Sequence, residues 1–328
     1  MTYFSTYDNG IACLLCEHYC FLQEGDIGLC ANQKNEHNTL KTIAFNAPAA
    51  LSITHIEERP FLHLQPGSTS LALGTKGCNM HCPECQNHQL TQHFNTIESL
   101  YLEPKDVVKL ALENSVTSIA YSYNDPVVYY PYAKAIGSIA KEKGLKNLFQ
   151  TAGLASPMML EDIPTWVDAV HVDLKSMNPA HYKSVLGGML ASVKNTLITL
   201  SKSSSWLEVS TVIINGVNDS DEELEAMAHF IASELGAHVP WHLSAFVPSN
   251  HLEHFNETTS SSILRAYEIA KAAGLYYVYF GNVPWLNETR CPACDTLLVQ
   301  RRYHEIFENN IIEGACPECQ RGVKGLWQ

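Results

Sequence analysis

The chain has 328 residues, of which 46% are apolar and only 17% are charged, a balance that favours a folded protein with a large buried core. Its net charge of −13 repels phosphate backbones and anionic membrane surfaces, which argues against a general nucleic-acid binder. No apolar run approaches the roughly 18 residues of a membrane span, and the first residues lack a signal-peptide pattern. We therefore expect a cytoplasmic protein without a membrane anchor.

Residues 1–69 are expected to form an accessory segment with a metal site. Gly25 and Gly28 allow the chain to fold back on itself, and residues 31–69 alternate like short strands, which predicts a small sheet or arm. A set of four thiolates would close a zinc site, and an auxiliary 4Fe-4S cluster is the alternative. The four cysteines of this set are Cys13, Cys16, Cys20 and Cys30.

Strand-like and helix-like segments alternate from residue 70 to about 286, the pattern of a parallel sheet with helical crossovers. The pattern gives six or seven β/α units, fewer than the eight of a complete barrel. We therefore predict an α/β fold with a partial, open barrel of six units. Predicted strands cover residues 70–77, 118–125, 145–152, 168–175, 206–215, 239–246 and 275–282. Predicted helices cover residues 103–115, 127–144, 158–163, 191–201, 221–236 and 261–274, and Asp219 and Ser220 are expected to cap the fifth.

The loop after the first barrel strand, GCNMHCPECQN, carries Cys78, Cys82 and Cys85. A structural zinc ion takes four ligands, and His81 or His88 could supply the fourth. Three thiolates can instead hold three irons of a 4Fe-4S cluster and leave the fourth iron open to a small molecule. The loop follows the carboxyl end of a parallel strand, where barrels of this type place active sites. The spacing and the position favour the cluster.

This loop resembles the CxxxCxxC signature of the radical S-adenosylmethionine (SAM) enzymes. The segments PGSTSLALGTKGCN, SYNDP, DLK, PWHLSAF, YFGNVP and the terminal CxxC pairs follow in order. Together they resemble, over residues 10–328, the radical enzyme of the AmmeMemoRadiSam system, which is related to the pyruvate formate-lyase activating enzymes. The resemblance implies a 4Fe-4S cluster whose open iron binds SAM, and reductive cleavage of SAM to a 5'-deoxyadenosyl radical that abstracts hydrogen from an unidentified substrate. It also implies a low-potential electron donor such as flavodoxin or ferredoxin, and Memo-like and AMMECR-type partner proteins.

The resemblance also implies which residues contact SAM. Asn124 and Asp125 stand where relatives bind the methionine ammonium, although Asn-Asp-Pro also commonly starts a turn. Lys175 is the candidate for the methionine carboxylate and Asp173 for a monovalent cation, with a simple salt bridge as the alternative. His242 is a candidate for the methionyl end, with a core histidine as the alternative. Further candidates lining the cofactor are Thr151, Thr211 and Asn215.

One segment departs from the family pattern. QTAG (150–153) stands where relatives often have DTNG, so Gln150 replaces a carboxylate and Ala152 replaces an amide. This departure weakens the inference of a cation site and of local SAM contacts.

Residues 287–328 are expected to form a small metal module, following the barrel domain of 70–286. CPAC and CPEC lie 21 residues apart, close to the zinc-ribbon pattern. Four thiolates would close a structural zinc site, with a rubredoxin-like iron or an auxiliary cluster as the alternatives. The ligands would be Cys291, Cys294, Cys316 and Cys319.

Two classes of function are compatible with these patterns. The leading one is a radical SAM enzyme, an oxidoreductase whose substrate is unknown, and its nearest variant is an activase of a glycyl-radical enzyme. A non-catalytic zinc scaffold, in which every cysteine set is structural, is the rival of another class. A nucleic-acid modifier would need a basic surface that the net charge does not provide.

Overall fold

The N-terminal part of the chain forms two small antiparallel sheets. A computed structural model describes residues 2–328. The first sheet pairs β1 (Phe4–Tyr7), β2 (Gly10–Cys13) and β3 (Phe21–Leu22), and the second is a hairpin of β4 (Gln33–Glu36) and β5 (Thr39–Thr42). The hairpin corresponds to part of the accessory sheet predicted for residues 31–69.

An eight-stranded sheet forms the body of the molecule. Its strands are β6 (Ala50–His55), β7 (Thr69–Gly74), β8 (Ser118–Tyr121), β9 (Lys146–Thr151), β10 (Ala169–Asp173), β11 (Trp206–Ile213), β12 (Trp241–Ala245) and β13 (Val278–Gly281). They lie side by side in chain order, so β6 and β13 form the two edges. The strands from β7 to β13 are parallel, and β6 pairs antiparallel with β7. All four residues of β8 are buried, as expected for a parallel strand covered on both faces.

Helices connect the parallel strands. They are α1 (His88–Thr91), α2 (Pro104–Glu113), α3 (Tyr130–Glu142), α4 (Pro157–Asp162), α5 (Pro179–His181), α6 (Leu190–Ser201), α7 (Asp221–Phe230) and α8 (Ser260–Ala272). The hydroxyl of Ser220 caps α7 by accepting a hydrogen bond from the backbone N–H of Glu223. Asp219 instead accepts a hydrogen bond of 2.7 Å from Gly216, so its predicted capping role was wrong. Six connections between seven parallel strands confirm the predicted partial barrel of six β/α units.

We expected residues 50–55 to belong to the accessory segment, but they form β6, the edge strand of the main sheet. The segment that follows β6 turns back inside the barrel. Ile56, Phe61 and Leu64 are buried there against small or apolar side chains of the inner sheet face, including Ala72 and Ala120. The amino ends of the strands are therefore closed by this segment, and any open space in the barrel lies towards the carboxyl ends.

The C-terminal residues form a three-stranded antiparallel sheet of β14 (Asn287–Arg290), β15 (Leu297–Arg302) and β16 (Glu305–Asn309). Its small apolar cluster includes Leu298 and Val299, and packs against Tyr277 and Tyr279 at the last barrel strand. A hydrogen bond of 2.7 Å from Tyr279 to Nε2 of His63 ties this contact to the segment inside the barrel. Within residues 2–328, no helix is long and apolar enough to cross a membrane.

Candidate cofactor and substrate sites

The three cysteines of the loop after β7 line one cleft of about 260 Å³ at the carboxyl ends of the parallel strands. Burial raises the pKa of Cys78 to about 12, and it also raises the pKa of Cys82 well above its usual value. Thiolates in such a place need a positive partner, which iron would supply. Among the described residues, neither His81 nor His88 completes a tight four-ligand group with these cysteines. The donor set thus fits a three-cysteine iron–sulfur cluster better than a closed zinc site.

Backbone and amide hydrogen bonds hold the cysteine loop in place. The side chain of Asn124 accepts a bond of 2.9 Å from the N–H of Thr75 and donates one of 2.7 Å to the carbonyl of Gly77. Gln92 donates a bond of 2.9 Å to the carbonyl of Cys82. Both ends of the Asn124 amide are used by the loop, so Asn124 holds the cysteines in position. Asn124 also lines the cleft, and its amide oxygen can accept a second hydrogen bond, so the contact with the SAM ammonium stays a prediction.

Asp125 presents a carboxylate in the same cleft. It accepts hydrogen bonds of 3.0 Å from the hydroxyl of Thr151, from the N–H of Ala152 and from the N–H of Val127. Burial raises the pKa of Asp125, and these donors act in the opposite direction by stabilising the charged form. The turn predicted for Asn-Asp-Pro is therefore present, and it also fixes the orientation of a carboxylate in the cleft. Thr151 lines the cleft and holds this carboxylate.

Lys175 and Asp173 form an ion pair of 3.1 Å at the end of β10, and both line the cleft. The other oxygen of Asp173 accepts a hydrogen bond of 2.7 Å from Ser210. Burial disfavours both charges, yet Lys175 lowers the pKa of Asp173 and Asp173 raises the pKa of Lys175. The salt bridge considered as an alternative is present, and it holds the Lys175 ammonium at the cleft wall.

Thr211 does not line the cleft, so this prediction was wrong. Its hydroxyl donates 2.7 Å to the carbonyl of Leu174 and accepts 3.0 Å from the indole of Trp241, and it lies 3.8 Å from the sulfur of Met227 on α7. Successive side chains of a strand point to opposite faces. Because Ser210 points into the barrel, its neighbour must point towards the helices.

Asn215 also lies outside the cleft, since its amide donates a hydrogen bond of 3.1 Å to Ser262 on α8. β11 ends at Ile213, so Asn215 stands in the loop beyond the strand, and the prediction that it lines the cleft was wrong. A residue in that loop no longer follows the inward and outward alternation of a strand.

His242 lies in the barrel but does not line the cofactor cleft. Its Nε2 donates a hydrogen bond of 2.6 Å to the carboxylate of Glu208. Burial alone would raise the pKa of Glu208, but the bond from His242 and the neighbouring His63 lower it to about 2. The expected contact with the methionyl end is therefore replaced by a buried pair with a carboxylate, because His242 stands near the start of β12, below the cysteine loop.

A second cavity, which we call the barrel cavity, has a volume of about 380 Å³ and includes His242 in its wall. It shares Gln150, Asp173 and Val212 with the cofactor cleft, so the two spaces adjoin. Its outer end is lined by Tyr303 from the turn between β15 and β16. The C-terminal module therefore contributes to the wall of a barrel cavity, which its sequence gave no means to predict.

His171 is the most unusual residue of the barrel cavity. It is fully buried, and neither ring nitrogen has a hydrogen-bond partner within residues 2–328. Burial lowers its pKa to about 4, so the ring is neutral at pH 7. A neutral imidazole carries one donor and one acceptor nitrogen, and both are enclosed in the cavity wall, with Nδ1 3.8 Å from a carboxylate oxygen of Asp173. The sequence signal was available, because His171 precedes Asp173 by two residues and so shares its face of β10.

The C-terminal cysteines form a tight group in which all four Sγ atoms lie within 4.8 Å of one another. The contacts from Cys291 to Cys319 and from Cys294 to Cys316 measure 3.5 and 3.6 Å. A tetrahedral ion with metal–sulfur bonds of about 2.3 Å places its thiolates roughly 3.8 Å apart. This group can therefore hold a single metal ion.

The four N-terminal cysteines line a separate enclosed cavity beside the barrel. Three of them, Cys13, Cys16 and Cys30, are buried. The structure therefore groups the cysteines as the sequence pattern did, into sets of four, three and four.

Comparison with known proteins agrees with this arrangement. Residues 73–231, which span the cysteine loop and the strands that form the cleft, match the model of the Radical SAM superfamily. The chain is 34% identical over 309 residues to the uncharacterized protein MJ0808 of Methanocaldococcus jannaschii, covering 93% of this chain and 91% of that protein. It is 26% identical over 167 residues to the pyruvate formate-lyase-activating enzyme of Streptococcus mutans, covering 48% of this chain and 63% of the enzyme.

A solved structure shows the same fold. Streptococcus suis SuiB bound to S-adenosylmethionine aligns with a TM-score of 0.51 at 12% identity, covering 69% of this chain and 52% of that one. A radical SAM domain implies SAM and a 4Fe-4S cluster as cofactors, and the cleft offers three cysteines for the cluster beside an acid and a lysine. With its partial barrel, its three-cysteine cleft and a relative aligned over nearly its whole length, the chain belongs to the radical SAM superfamily.

Proposed function

We propose that this protein cleaves SAM reductively at a cluster on Cys78, Cys82 and Cys85 and removes a hydrogen atom from a substrate in the barrel cavity. One observation carries the proposal: the cleft that contains the three cysteines adjoins a polar cavity inside the barrel. When bound, the cluster supplies the single electron that splits SAM into methionine and a 5'-deoxyadenosyl radical.

The protein's own side chains bind and orient the cofactor. Lys175 faces the methionine carboxylate, and Asp173 keeps the lysine at the cleft wall. Asp125 faces the ammonium, with its orientation fixed by Thr151 and by the backbone at Ala152. These opposite charges at two places in the cleft fix the direction in which the methionyl group lies, which determines where the ribose meets the barrel cavity.

The barrel cavity favours a polar substrate that carries no phosphate. Its charged lining residues are Glu57, Glu58 and Asp173, and within residues 2–328 no lysine or arginine lines it. Polyanions would be repelled by this wall. Uncharged polar lining residues such as Gln150, Ser210 and Asn282 instead fit a molecule with amide, hydroxyl or amine groups.

The motif order further supports membership of the AmmeMemoRadiSam system, with Memo-like and AMMECR-type proteins as partners. We place the enzyme in the cytoplasm, where free thiols persist and flavodoxin or ferredoxin can supply electrons. We assign zinc to the tight C-terminal cysteine group, because four closely spaced thiolates suit a closed tetrahedral site.

A second candidate function is activation of a glycyl-radical enzyme. Similarity to three enzymes supports it: the activating enzymes of pyruvate formate-lyase, isethionate sulfite-lyase and benzylsuccinate synthase, at 26, 27 and 24% identity. The substrate would then be a glycine in a segment of a partner protein. Such a segment is also polar and free of phosphate, so the barrel cavity suits both candidates.

The test begins with the anaerobically reconstituted and reduced protein. We expect it to produce 5'-deoxyadenosine and methionine from SAM, whereas Cys82→Ala should give only background. No product above the Cys82→Ala level from protein with confirmed iron content would refute the proposal. Deuterated peptides and neutral or cationic metabolites should then be compared for transfer of label into 5'-deoxyadenosine. Label arriving only from a glycine-labelled partner protein would establish the activase.

A further inference from the structure

The N-terminal and C-terminal cysteine sets differ in the spacing of their sulfur atoms. In the C-terminal set all four Sγ atoms lie within 4.8 Å of one another, the spacing that one tetrahedral ion requires. Within residues 2–328, no three of the N-terminal Sγ atoms lie mutually within that distance, yet all four line a single cavity. The loop cysteines Cys78, Cys82 and Cys85 show the same wider spacing. The N-terminal set therefore resembles the cluster site and differs from the ion site.

Backbone contacts hold the cysteines of this set in place. Cys13 ends β2, and its N–H donates a hydrogen bond of 2.9 Å to the carbonyl of Cys20. Cys16 forms a β-bridge with Ala155 of the barrel. With the backbone of these residues held by secondary structure and by the barrel, drawing the four sulfurs together around one ion would require their side chains to move. A cubane, with four irons between its thiolates, needs no such movement.

The cavity between these cysteines is closed and mostly apolar. Leu15, Val127 and Val128 contribute to its lining, and no carboxylate does so within the described residues. Leu29 also lines it and is 65% exposed, so the cavity lies one side chain from solvent. A buried redox centre with one thin wall is suited to receive electrons from outside.

The cavity also adjoins the catalytic cysteine loop. Asn79, the residue after Cys78, lines it, and its carbonyl accepts a hydrogen bond of 2.7 Å from Nε2 of His18. The loop approaches the N-terminal set again at Gly77, where a Cβ would lie 2.2 Å from the carbonyl oxygen of Cys30. Gly77 has a φ of +79°, so both the backbone conformation and the close contact require glycine. The two cysteine sets thus meet at two points.

We propose that Cys13, Cys16, Cys20 and Cys30 hold a second 4Fe-4S cluster, which relays electrons to the catalytic cluster. The metal assignment stands on the cavity and the sulfur spacing alone, and the relay rests in addition on the proposed function. In the relay, a low-potential protein donor loses one electron to the N-terminal cluster. That electron then passes to the catalytic cluster, so that the donor is oxidised by one electron and the catalytic site is reduced by one.

The metal assignment is tested by counting metals after anaerobic reconstitution and by electron paramagnetic resonance after reduction. The full chain should bind about eight irons. With Cys78→Ala, Cys82→Ala and Cys85→Ala combined, about four irons should remain, with a signal that SAM does not alter. This variant leaves the N-terminal set intact, so it shows which metal the N-terminal cysteines hold even if N-terminal variants do not fold. Loss of all iron from it, with zinc filling both four-cysteine sets, would overturn the proposal.

The converse variant combines Cys16→Ala with Cys20→Ala. It should retain about four irons and a signal that changes when SAM is added. The matched control, Cys294→Ala in the C-terminal set, should leave the iron count unchanged. An equal loss of iron in this control would contradict the assignment of different metals to the two sets.

The relay is tested by comparing two reductants on the Cys16→Ala, Cys20→Ala variant. Reduction of its catalytic cluster by reduced flavodoxin should be at least tenfold slower than in the unaltered chain, while dithionite should reduce it to the same extent. Equal rates with flavodoxin would overturn the relay and leave the cluster assignment standing. Failure of SAM cleavage in the unaltered chain, with about eight irons bound, would instead refute the proposed function.

Discussion

Lys175 and Asp173 form a 3.1 Å ion pair at the place where the cofactor cleft meets the barrel cavity. If Lys175 binds the methionine carboxylate, Lys175→Met should raise the dissociation constant of SAM at least tenfold, which is about 1.4 kcal/mol. Iron loading should not change, because the lysine is not a cluster ligand. Equilibrium binding to the reconstituted protein measures the effect, and the exposed Lys202→Met is the matched control.

A second ligand separates a direct contact from general damage to the cleft. 5'-Methylthioadenosine lacks both the carboxylate and the ammonium of SAM, so its affinity should be the same in Lys175→Met and in the unaltered chain. A parallel loss of affinity for both ligands would show that the substitution disturbs the cleft as a whole.

The Asp125 carboxylate gives a related prediction for the ammonium. Asp125→Asn removes the negative charge and should weaken SAM binding about tenfold. Thr151→Val keeps the charge and removes one of its hydrogen-bond donors, so its effect should be smaller. The opposite order of the two effects, or iron loss in Asp125→Asn, would contradict the assigned role.

Much of this arrangement was predictable because it depends on local patterns. The alternation of strands and helices predicted the barrel, and the CxxxCxxC spacing located the cluster loop at the end of β7. Asp125 and Lys175 could be placed at the cleft because they follow β8 and β10, two parallel strands of the same sheet. Each of these inferences needs only the chain direction and the fact that carboxyl ends of parallel strands meet at one edge.

The remaining roles depend on contacts that no local pattern contains. Asn124 has its amide occupied by Thr75 and Gly77, which are about fifty positions earlier in the chain. His242 is paired with Glu208 because β11 and β12 lie side by side with a particular register. Thr211 is the exception, because its orientation was predictable from the sequence. Side chains alternate along a strand, so Thr211 had to point to the face opposite that of its neighbour Ser210, which is bonded to Asp173.

Adjacent hydroxyls on β11 therefore provide a matched pair of variants. Thr211→Val removes the bridge between Leu174 and Trp241 and should reduce the free energy of unfolding by about 1 to 2 kcal/mol, with unchanged SAM affinity. Ser210→Ala removes the hydrogen bond to Asp173 and should weaken SAM binding with a smaller loss of stability. Denaturant titration and SAM binding measure the two effects. If Thr211→Val reduced SAM affinity without reducing stability, Thr211 would have to line the cleft after all.

Stability should fall as the pH falls towards 5 because of His171. Its pKa is about 4 in the folded protein against 6.5 for an ordinary histidine, so the unfolded chain binds the proton more readily. The contribution of His171 to the free energy of unfolding is thus fully present above pH 6.5 and is lost as the pH falls towards 4. Between pH 7 and pH 5 the free energy of unfolding should fall by about 2 kcal/mol because of this residue. His171→Gln should remove this part of the loss, while titration of nearby Asp173 and Glu208 is retained. Equal pH dependence in both proteins would show that the ring is solvated.

The C-terminal metal group should control the wall of the barrel cavity without taking part in SAM cleavage. The sheet of β14, β15 and β16 has few buried apolar residues of its own, so its order should depend on the ion held by the four cysteines. Its turn carries Tyr303 into the cavity wall, and His304 beside it lies 3.6 Å from Glu58. Cys316→Ser should therefore loosen the turn and open the outer end of the cavity.

Hydrogen exchange measured by mass spectrometry is the direct readout for this coupling. In Cys316→Ser, exchange across residues 297–309 should become at least tenfold faster, while exchange in the catalytic cysteine loop stays the same. SAM cleavage in the absence of substrate should also be retained, because the cofactor cleft does not include residues of the C-terminal sheet. The matched variant Cys82→Ala should show the reverse: no change across 297–309 and no SAM cleavage. Unchanged exchange at the turn in metal-free Cys316→Ser would mean that packing against Tyr277 and Tyr279 holds the module without the ion.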